Sequence, residues 1–292
     1  MKYKSSFHLL FLTLLICQLA TAMSAKNHKF LNYNIYKGMS QDTTLRKEHF
    51  VKWMQQLSPD IVGMEEVNYF TQSTLDNMAN KYGHPYSVLL KEQGYPVALT
   101  SRYPIVNVRR VTDNMHHGMI VAQILDYHII VTHLSPHRWE KRGHEIDLIM
   151  ATIKATAPKG KWIVMGDFNA YSPIDIQAYA DGLLKDRTFK LEQKYKSHKN
   201  LRNNELDFTV IQKVLDAGFI DALKVKHSSF VSSVPTKILE HKTLDVNPPF
   251  RIDYMFVSNF LKKKILSCDI LKDSFTDNYS DHYPVLMELS DK

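Results

Sequence analysis

Gly166-Asp167-Phe168-Asn169-Ala170 follows the apolar run 162–165 and sets a carboxylate and an amide two residues apart. In an extended segment such residues point to the same side. One can then polarise a water while the other donates a hydrogen bond to an oxyanion. The same two side chains could equally close a turn. Near the C-terminus, Ser280-Asp281-His282-Tyr283-Pro284-Val285 puts an acid beside an imidazole where an apolar run begins. Arg251-Ile252-Asp253-Tyr254 supplies another acid, able to hold an imidazole in one tautomer. Met64-Glu65-Glu66-Val67-Asn68 ends an apolar run with two carboxylates. Tyr33-Asn34-Ile35 offers an amide, and Val131-Thr132-His133-Leu134-Ser135 a histidine.

These donors are oxygen and imidazole groups. Outside an N-terminal leader the chain has one cysteine, Cys268, so neither an internal disulfide nor a thiolate zinc site can form. An oxygen-rich set suits a hard cation, magnesium or manganese, which binds phosphate oxygens and keeps several waters.

The elements that must position these residues alternate between strand and helix patterns. Residues 30–35, 61–67, 86–90, 97–100, 119–125, 128–133, 162–165, 252–257, 265–271 and 285–289 read as strands. Asp126-Tyr127 marks a tight hairpin between two of them. Asp42 is placed to cap a helix running to Leu57, and Ile146, Ile149 and Ile153 share one face of a helix over 138–156. The lysine-dense stretch 185–200 reads as a solvated loop, and Lys262-Lys263-Lys264 as the solvent side of a strand approach. Hairpins mixed with helices imply layered sheets rather than a doubly wound sheet.

In this order, Asn34, Glu66, His133, Asp167 with Asn169, Asp253 and Asp281-His282 resemble the endonuclease/exonuclease/phosphatase superfamily. The resemblance spans residues 30–289. It implies an α/β (α+β) fold: a four-layer αββα sandwich of two packed, mostly antiparallel sheets flanked by helices. It implies a metal-dependent hydrolase of phosphoric ester bonds using Mg2+ or Mn2+. Glu66 would be the principal metal ligand, with Asn34 beside it and Asp281 assisting. Glu65 is set aside because the family motif puts its acid immediately before the hydrophobic residue, here Val67. Asp167 would position the attacking water and Asn169 would hold a phosphate oxygen. His282, oriented by Asp253, would act on the water or stabilise the transition state, and His133 would protonate the leaving oxygen. Ser101-Arg102-Tyr103-Pro104-Ile105 also resembles a family segment. Arg102 is read there mainly as supporting structure, with substrate contact as the alternative. For His116 and His117 a loop role is preferred to phosphate contact.

The expected substrate is a phosphodiester of nucleic-acid type. A phospholipid headgroup or sugar phosphate is the alternative, and a catalytically silent binding module is the reading from another class. Ala170-Tyr171-Ser172-Pro173 departs from the abasic-site endonuclease pattern, and no Trp-Cys-Asp-Arg run of the inositol 5-phosphatases precedes Ile252. Tyr69-Phe70 is no clear membrane-inserting tip. No protein partner is implied, and a monomer is expected.

The organisation is a cleaved secretory leader over residues 1–22 and one catalytic domain over 26–290. Lys2 and Lys4 precede an apolar run over 9–20, too short to span a bilayer comfortably, and Ala20-Thr21-Ala22 has the small-x-small spacing of a cleavage site. A cut after Ala25 is the alternative. A secreted or periplasmic location follows. Losing the leader's two lysines lowers the formal charge from +7 to +5. That modest excess suits a phosphate-bearing partner without proving nucleic-acid binding.

Overall fold

A strand covered on both faces reads as a continuous apolar run, and its two sides separate only when each is seen against what it covers. In the computed structural model, which describes residues 27–240 and 248–291, the strands are β1 (His28–Asn34), β2 (Ile61–Glu65), β3 (Tyr86–Leu89), β4 (Ala98–Ser101), β5 (Ile105–Val111), β6 (Gly118–Ile124), β7 (Tyr127–His133), β8 (Lys161–Asp167), β9 (Leu201–Arg202), β10 (Glu205–Leu206), β11 (Phe219–Asp221), β12 (Asp253–Ser258), β13 (Ile265–Ile270) and β14 (Val285–Leu289). The longer helices are α1 (Glu48–Leu57), α2 (Gln72–Lys81), α3 (Trp139–Thr156), α4 (Leu183–Lys194) and α5 (Thr209–Asp216). The leader expected over residues 1–22 lies outside the described residues.

Two six-stranded sheets run β13-β14-β1-β2-β4-β3 and β11-β12-β8-β7-β6-β5. Each has one parallel pair at its centre, β1 with β2 and β7 with β8, and is otherwise antiparallel. Phe30, Val131, Ile163, Met165, Met255 and Met287 fill the core between the sheets. Their strand neighbours Leu31, Ile130 and Val164 turn outward beneath the helices: Leu31 shares a core with Phe50 and Met54 of α1, Ile130 and Val164 one with Ile146 and Ile149 of α3. The period of two thus sorts one apolar run into two cores. Each fully buried aliphatic contributes roughly 1.5–3 kcal/mol. Across the gap between the sheets, a Cβ on Gly63 would stand 3.1 Å from both Met165 Cε and Val131 Cγ1.

Several boundaries differ from the expectations. The helix expected from Asp42 begins at Glu48, yet the Asp42 carboxylate still accepts the Phe50 N–H of its first turn at 3.2 Å. The hairpin turns at Leu125-Asp126, one residue early, with Leu125 at φ 54°. The lysine-rich stretch read as a loop is largely α4, which buries only Leu184 and Thr188, so its sequence shows almost no apolar stripe. Lys262, Lys263 and Lys264 close a 3-10 turn, Asn259–Lys264. Elements not anticipated include β5, an edge strand with mixed exposure, the short β9, β10 and β11, and the helices α2 and α5. A Thr71-x-x-Thr74 reciprocal cap marks the start of α2.

Candidate active site

Strand register does most of the assembly. On β8, Asp167 pairs with His133 of the parallel β7 on one side and with Asp253 of the antiparallel β12 on the other. In the facing sheet Asn34 of β1 pairs with Glu65 of β2. Neighbouring strands lie ~4.8 Å apart, so three chemically active side chains stand abreast. The link from Ser280 Oγ to the Asn34 carbonyl, 2.6 Å, pins Asp281-His282 to the end of β1.

The side chains form a connected row. Asp253 Oδ2 lies 2.9 Å from His282 Nδ1 and Oδ1 lies 3.1 Å from it. The far nitrogen of that ring, Nε2, stands 3.9 Å from Asp167 Oδ2, beyond hydrogen-bond reach. His133 Nε2 is 3.3 Å from the same Asp167 oxygen, and Asn34 Nδ2 donates to it at 3.2 Å. Asn34 also reaches Glu66 Oε1 at 3.5 Å, coupling the row to the β2 acids. Asn169, at φ 48°, donates its backbone N–H to Asp167 Oδ1 at 2.9 Å and one amide hydrogen to the Leu134 carbonyl at 3.1 Å. Its second amide hydrogen has no partner among the described residues.

A left-handed turn holds the acid side. Tyr36, Lys37, Gly38 and Met39 all have positive φ, between 50° and 68°. The Lys37 N–H donates to Glu66 Oε2 at 2.9 Å and the Gly38 N–H to the Glu66 carbonyl at 2.7 Å. A Cβ at Gly38 would lie 2.1 Å from the Asn68 carbonyl oxygen. Left-handed backbone costs a non-glycine residue roughly 1–2 kcal/mol. Strain of this kind concentrates at functional sites.

Electrostatics divide the cluster. Burial alone would raise the Asp167 carboxyl, but His133 and His282 bring it down to about 2. Burial likewise opposes charge on His282, and the Asp253 and Asp167 carboxylates reverse this, holding its proton well above the ordinary range. Asp281 is pushed up to about 6 by burial and then by Glu66 and Asp167, against His282. Glu65, fully buried, is raised well above the carboxylate range by burial and by Asp253 and Asp167, and accepts from Asn32 Nδ2 at 3.3 Å. It lies beneath the site rather than in it, and sequence reasoning found no part for Asn32.

The expected residues thus converge, with one exception. Arg102 sits at the other end of β2, where its Nε donates to the Pro59 carbonyl at 3.0 Å, its Nη2 to Ser58 Oγ, and Asp60 lies 3.7 Å away. Arg102 thus fastens the opposite rim, which fits the supporting role preferred for it and not the alternative of substrate contact. His133 is only 3% exposed and its Nδ1 is buried without a hydrogen-bond partner. His117 stacks on it at 4.2 Å, its proton affinity lowered to about 2 by burial and by His133 and His116.

Among solved structures the chain is similar to an AP endonuclease from Archaeoglobus fulgidus, with a TM-score of 0.66 and 18% identity over 91% of this chain and 100% of that one. It is also similar to the 3'-phosphatase NExo from Neisseria bound to product DNA hairpin, with a TM-score of 0.64 and 18% identity over 90% and 99%. The 3'-5' exonuclease NExo from Neisseria meningitidis gives a TM-score of 0.66 and 16% identity over 90% and 99%. No curated protein sequence matches the chain. Identities this low carry the fold and leave the substrate to the side chains. The sequence profile of the Endonuclease/Exonuclease/phosphatase family matches residues 31–282. That span runs through every member of the row from Asn34 to His282, and the chain belongs to this family.

Proposed function

We propose that the chain is a secreted, metal-dependent phosphoesterase that hydrolyses a phosphodiester of nucleic-acid type. The observation that carries this reading is the meeting of Asp253, His282, Asp167, Asn34 and Glu66 at one rim of the sheets. The donor set fits a hard cation. Burial, and then Glu66, raises Asp281; among the described residues no Lys or Arg side chain is paired with either acid, and their donors are oxygens. Glu66 and Asp281 would hold Mg2+ or Mn2+ with Asn34 beside them. The ion supplies neutralisation of phosphate oxygens, a Lewis-acid effect.

The protein's own groups account for the rest. Asp167, ionised and fixed by Asn34, His133 and the Asn169 N–H, aligns the attacking water and accepts its proton. The His282 Nε2–H, too far from Asp167 to bond it, donates to the oxygen on which charge develops. Asp253 keeps that ring charged and in one orientation. The free amide hydrogen of Asn169 holds a second phosphate oxygen. His133 was expected as the acid for the leaving oxygen. Its burial and its contact with Asp167 support a positioning role, and the leaving oxygen then takes its proton from solvent.

A cavity of about 560 Å³ is bordered by Gly38, whose N–H bonds the Glu66 carbonyl, and by Arg46, Asn68, Tyr69 and Lys81. Tyr69 is 89% exposed there. An exposed ring among cations suits a substrate that extends past the scissile phosphate, with base stacking on one side. The same ring could rest on a lipid surface, which keeps the phospholipid reading as second. The deciding experiment is hydrolysis of DNA, RNA, sphingomyelin and sugar phosphates by purified protein with magnesium, manganese or excess chelator. Cleavage of nucleic acid that vanishes with chelator is the expected result. Full activity in chelator would remove the metal, and no turnover of any substrate would leave a binding module. N-terminal sequencing of protein from the native host should begin after Ala22 or Ala25, and an intact Met1 would refute export by cleavage.

A further inference from the structure

The cavity bordered by Tyr69 holds groups that the catalytic row leaves unused. Asn68 lines it and is 6% exposed. The Asn68 Oδ1 is buried without a hydrogen bond, and its Nδ2 has no partner among the described residues. Buried amides are nearly always paired, so one left open calls for explanation. Arg46 and Lys81 line the same cavity, and their charged ends have no ion pair or hydrogen bond among the described residues. Lys47 is the third cation, held by the Met39 and Asp42 carbonyls at 3.0 and 2.9 Å. Among the described residues no acid lines the cavity.

The cavity also has an apolar wall. Phe70 and Met78 supply it, both buried, while the Tyr69 ring stands almost wholly in water. Arg46, Lys47 and Tyr69 have φ of 64°, 55° and 67°, left-handed backbone that disfavours residues with side chains. Backbone of this kind gathers at ligand sites. Gly38 joins the cavity to the row, since its N–H bonds the Glu66 carbonyl at 2.7 Å. Asn68 itself lies two residues beyond Glu66. An occupant must therefore offer a flat apolar face, a polar edge and negative charge, close to the phosphate under attack. A nucleotide offers all three. A sugar phosphate has no face for Tyr69, and a choline headgroup would bring positive charge against Arg46 and Lys81.

We propose that this cavity is a subsite for an unpaired nucleobase flanking the scissile phosphate. Tyr69 stacks on the base, Asn68 bonds its edge, and Arg46 and Lys81 hold the adjoining phosphate. In a duplex both the faces and the pairing edge of a base are already taken. The subsite, which presupposes the nucleic-acid reading above, narrows the substrate to single strands or frayed ends.

In the test, a short single strand with cleavage-resistant phosphorothioate linkages and one 2-aminopurine is titrated into the full chain with magnesium in excess. A fluorescence change confined to one position of the 2-aminopurine along the strand reports stacking and gives the affinity. It is expected for the single strand and not for the same strand in a duplex. Tyr69→Ala should weaken binding by at least ~5-fold, the lower range for one base–aromatic stack, and Tyr69→Phe should retain it. Arg46→Ala should weaken binding of every sequence and reduce its salt slope by about 1. Asn68→Ala should lower affinity too, and if circular dichroism finds that variant unfolded, the exposed Tyr69 and Arg46 still decide. Phe260→Ala, exposed beyond the far end of β12, should bind as the wild type does. Wild-type affinity in both Tyr69→Ala and Arg46→Ala would overturn the subsite and leave the nucleic-acid reading standing. An equal response from the duplex would overturn the choice of an unpaired base. Failure to bind any strand would remove both the subsite and the nucleic-acid reading.

Discussion

Two groups of charge, one buried and one opening at the rim, lie on either side of Ile252, and only the second is set up for chemistry. On one side Arg251, with no exposed surface, pairs with Asp175 at 2.6 Å and Asp221 at 2.7 Å, while Lys224 reaches Asp175 at 2.6 Å. Two cations meet two carboxylates, and the Tyr254 ring covers the guanidinium at 4.5 Å. On the other side Asp167, Asp253, Asp281 and Glu66 have, as charged side-chain partners among the described residues, His133 and His282, with Glu65 beneath. The first group is closed and neutral. The second carries negative charge it does not balance, and that imbalance is what an added cation and a phosphate can use. Burial of charge alone does not mark a site; the sum of the charges does.

The comparison breaks most sharply on turnover. His282→Ala and Asp253→Ala should each lower it by at least ~10²-fold, the lower range for one acid–base group. Because the two act as a unit, the double variant should be little worse than the worse single one. Steady-state rates for all three, with circular dichroism, decide this; losses that multiply would separate the residues.

Arg251→Met should leave Asp221 uncompensated and Asp175 with Lys224 alone, and cost ~3–5 kcal/mol of stability. Urea unfolding measures it. A loss below about 1 kcal/mol, the scale of an exposed pair, would show the closed group to be dispensable.

Asp281→Asn should do the reverse. An aspartate raised to about 6 in the folded chain, against ~3.9 unfolded, lends stability only while protonated and loses it as pH rises through 6. In chelator near neutral pH the amide should therefore stabilise by about 2–3 kcal/mol, and magnesium should favour the wild type instead. An unchanged unfolding midpoint in chelator would mean the rim carries no such tension.

The smallest effect concerns a buried neutral network. His84 bonds the Thr100 hydroxyl and the Pro59 carbonyl at 2.9 Å each, and burial depresses its proton affinity to about 4. An unfolded imidazole titrates near ~6.5, so stability is full above that value and declines as pH falls toward 4. Between about pH 7.5 and about pH 5 the loss assignable to His84 is about 2 kcal/mol. His84→Gln should flatten that part of the unfolding curve; an identical slope would exclude it.

What the sequence reveals follows from how local each signal is. Asp167, Asn169, Glu66 and Asp281-His282 stand at ends of strongly apolar runs, so pattern alone places them at strand termini. The partnership of Arg251 with Asp175 spans 76 residues and leaves no trace in either neighbourhood. Nor does the left-handed turn at 36–39, where only Gly38 hints at positive φ. The helix α4 escapes because its buried face holds a single large apolar residue, Leu184. For Arg102 the familiar segment fixes its type and a supporting role, and not the rim it occupies.

The placement of β14 bears on how the molecule comes into being. Leu289 pairs with His28, so a strand from the start of the described chain waits for one from its end. Closing a loop of that length weighs on the rate of folding more than on final stability. Synthesis runs from the N-terminus, and Asp281-His282 emerge just ahead of this last strand. A nascent chain therefore holds an incomplete first sheet and no complete row of acids and imidazoles. Activity arrives with the final strand.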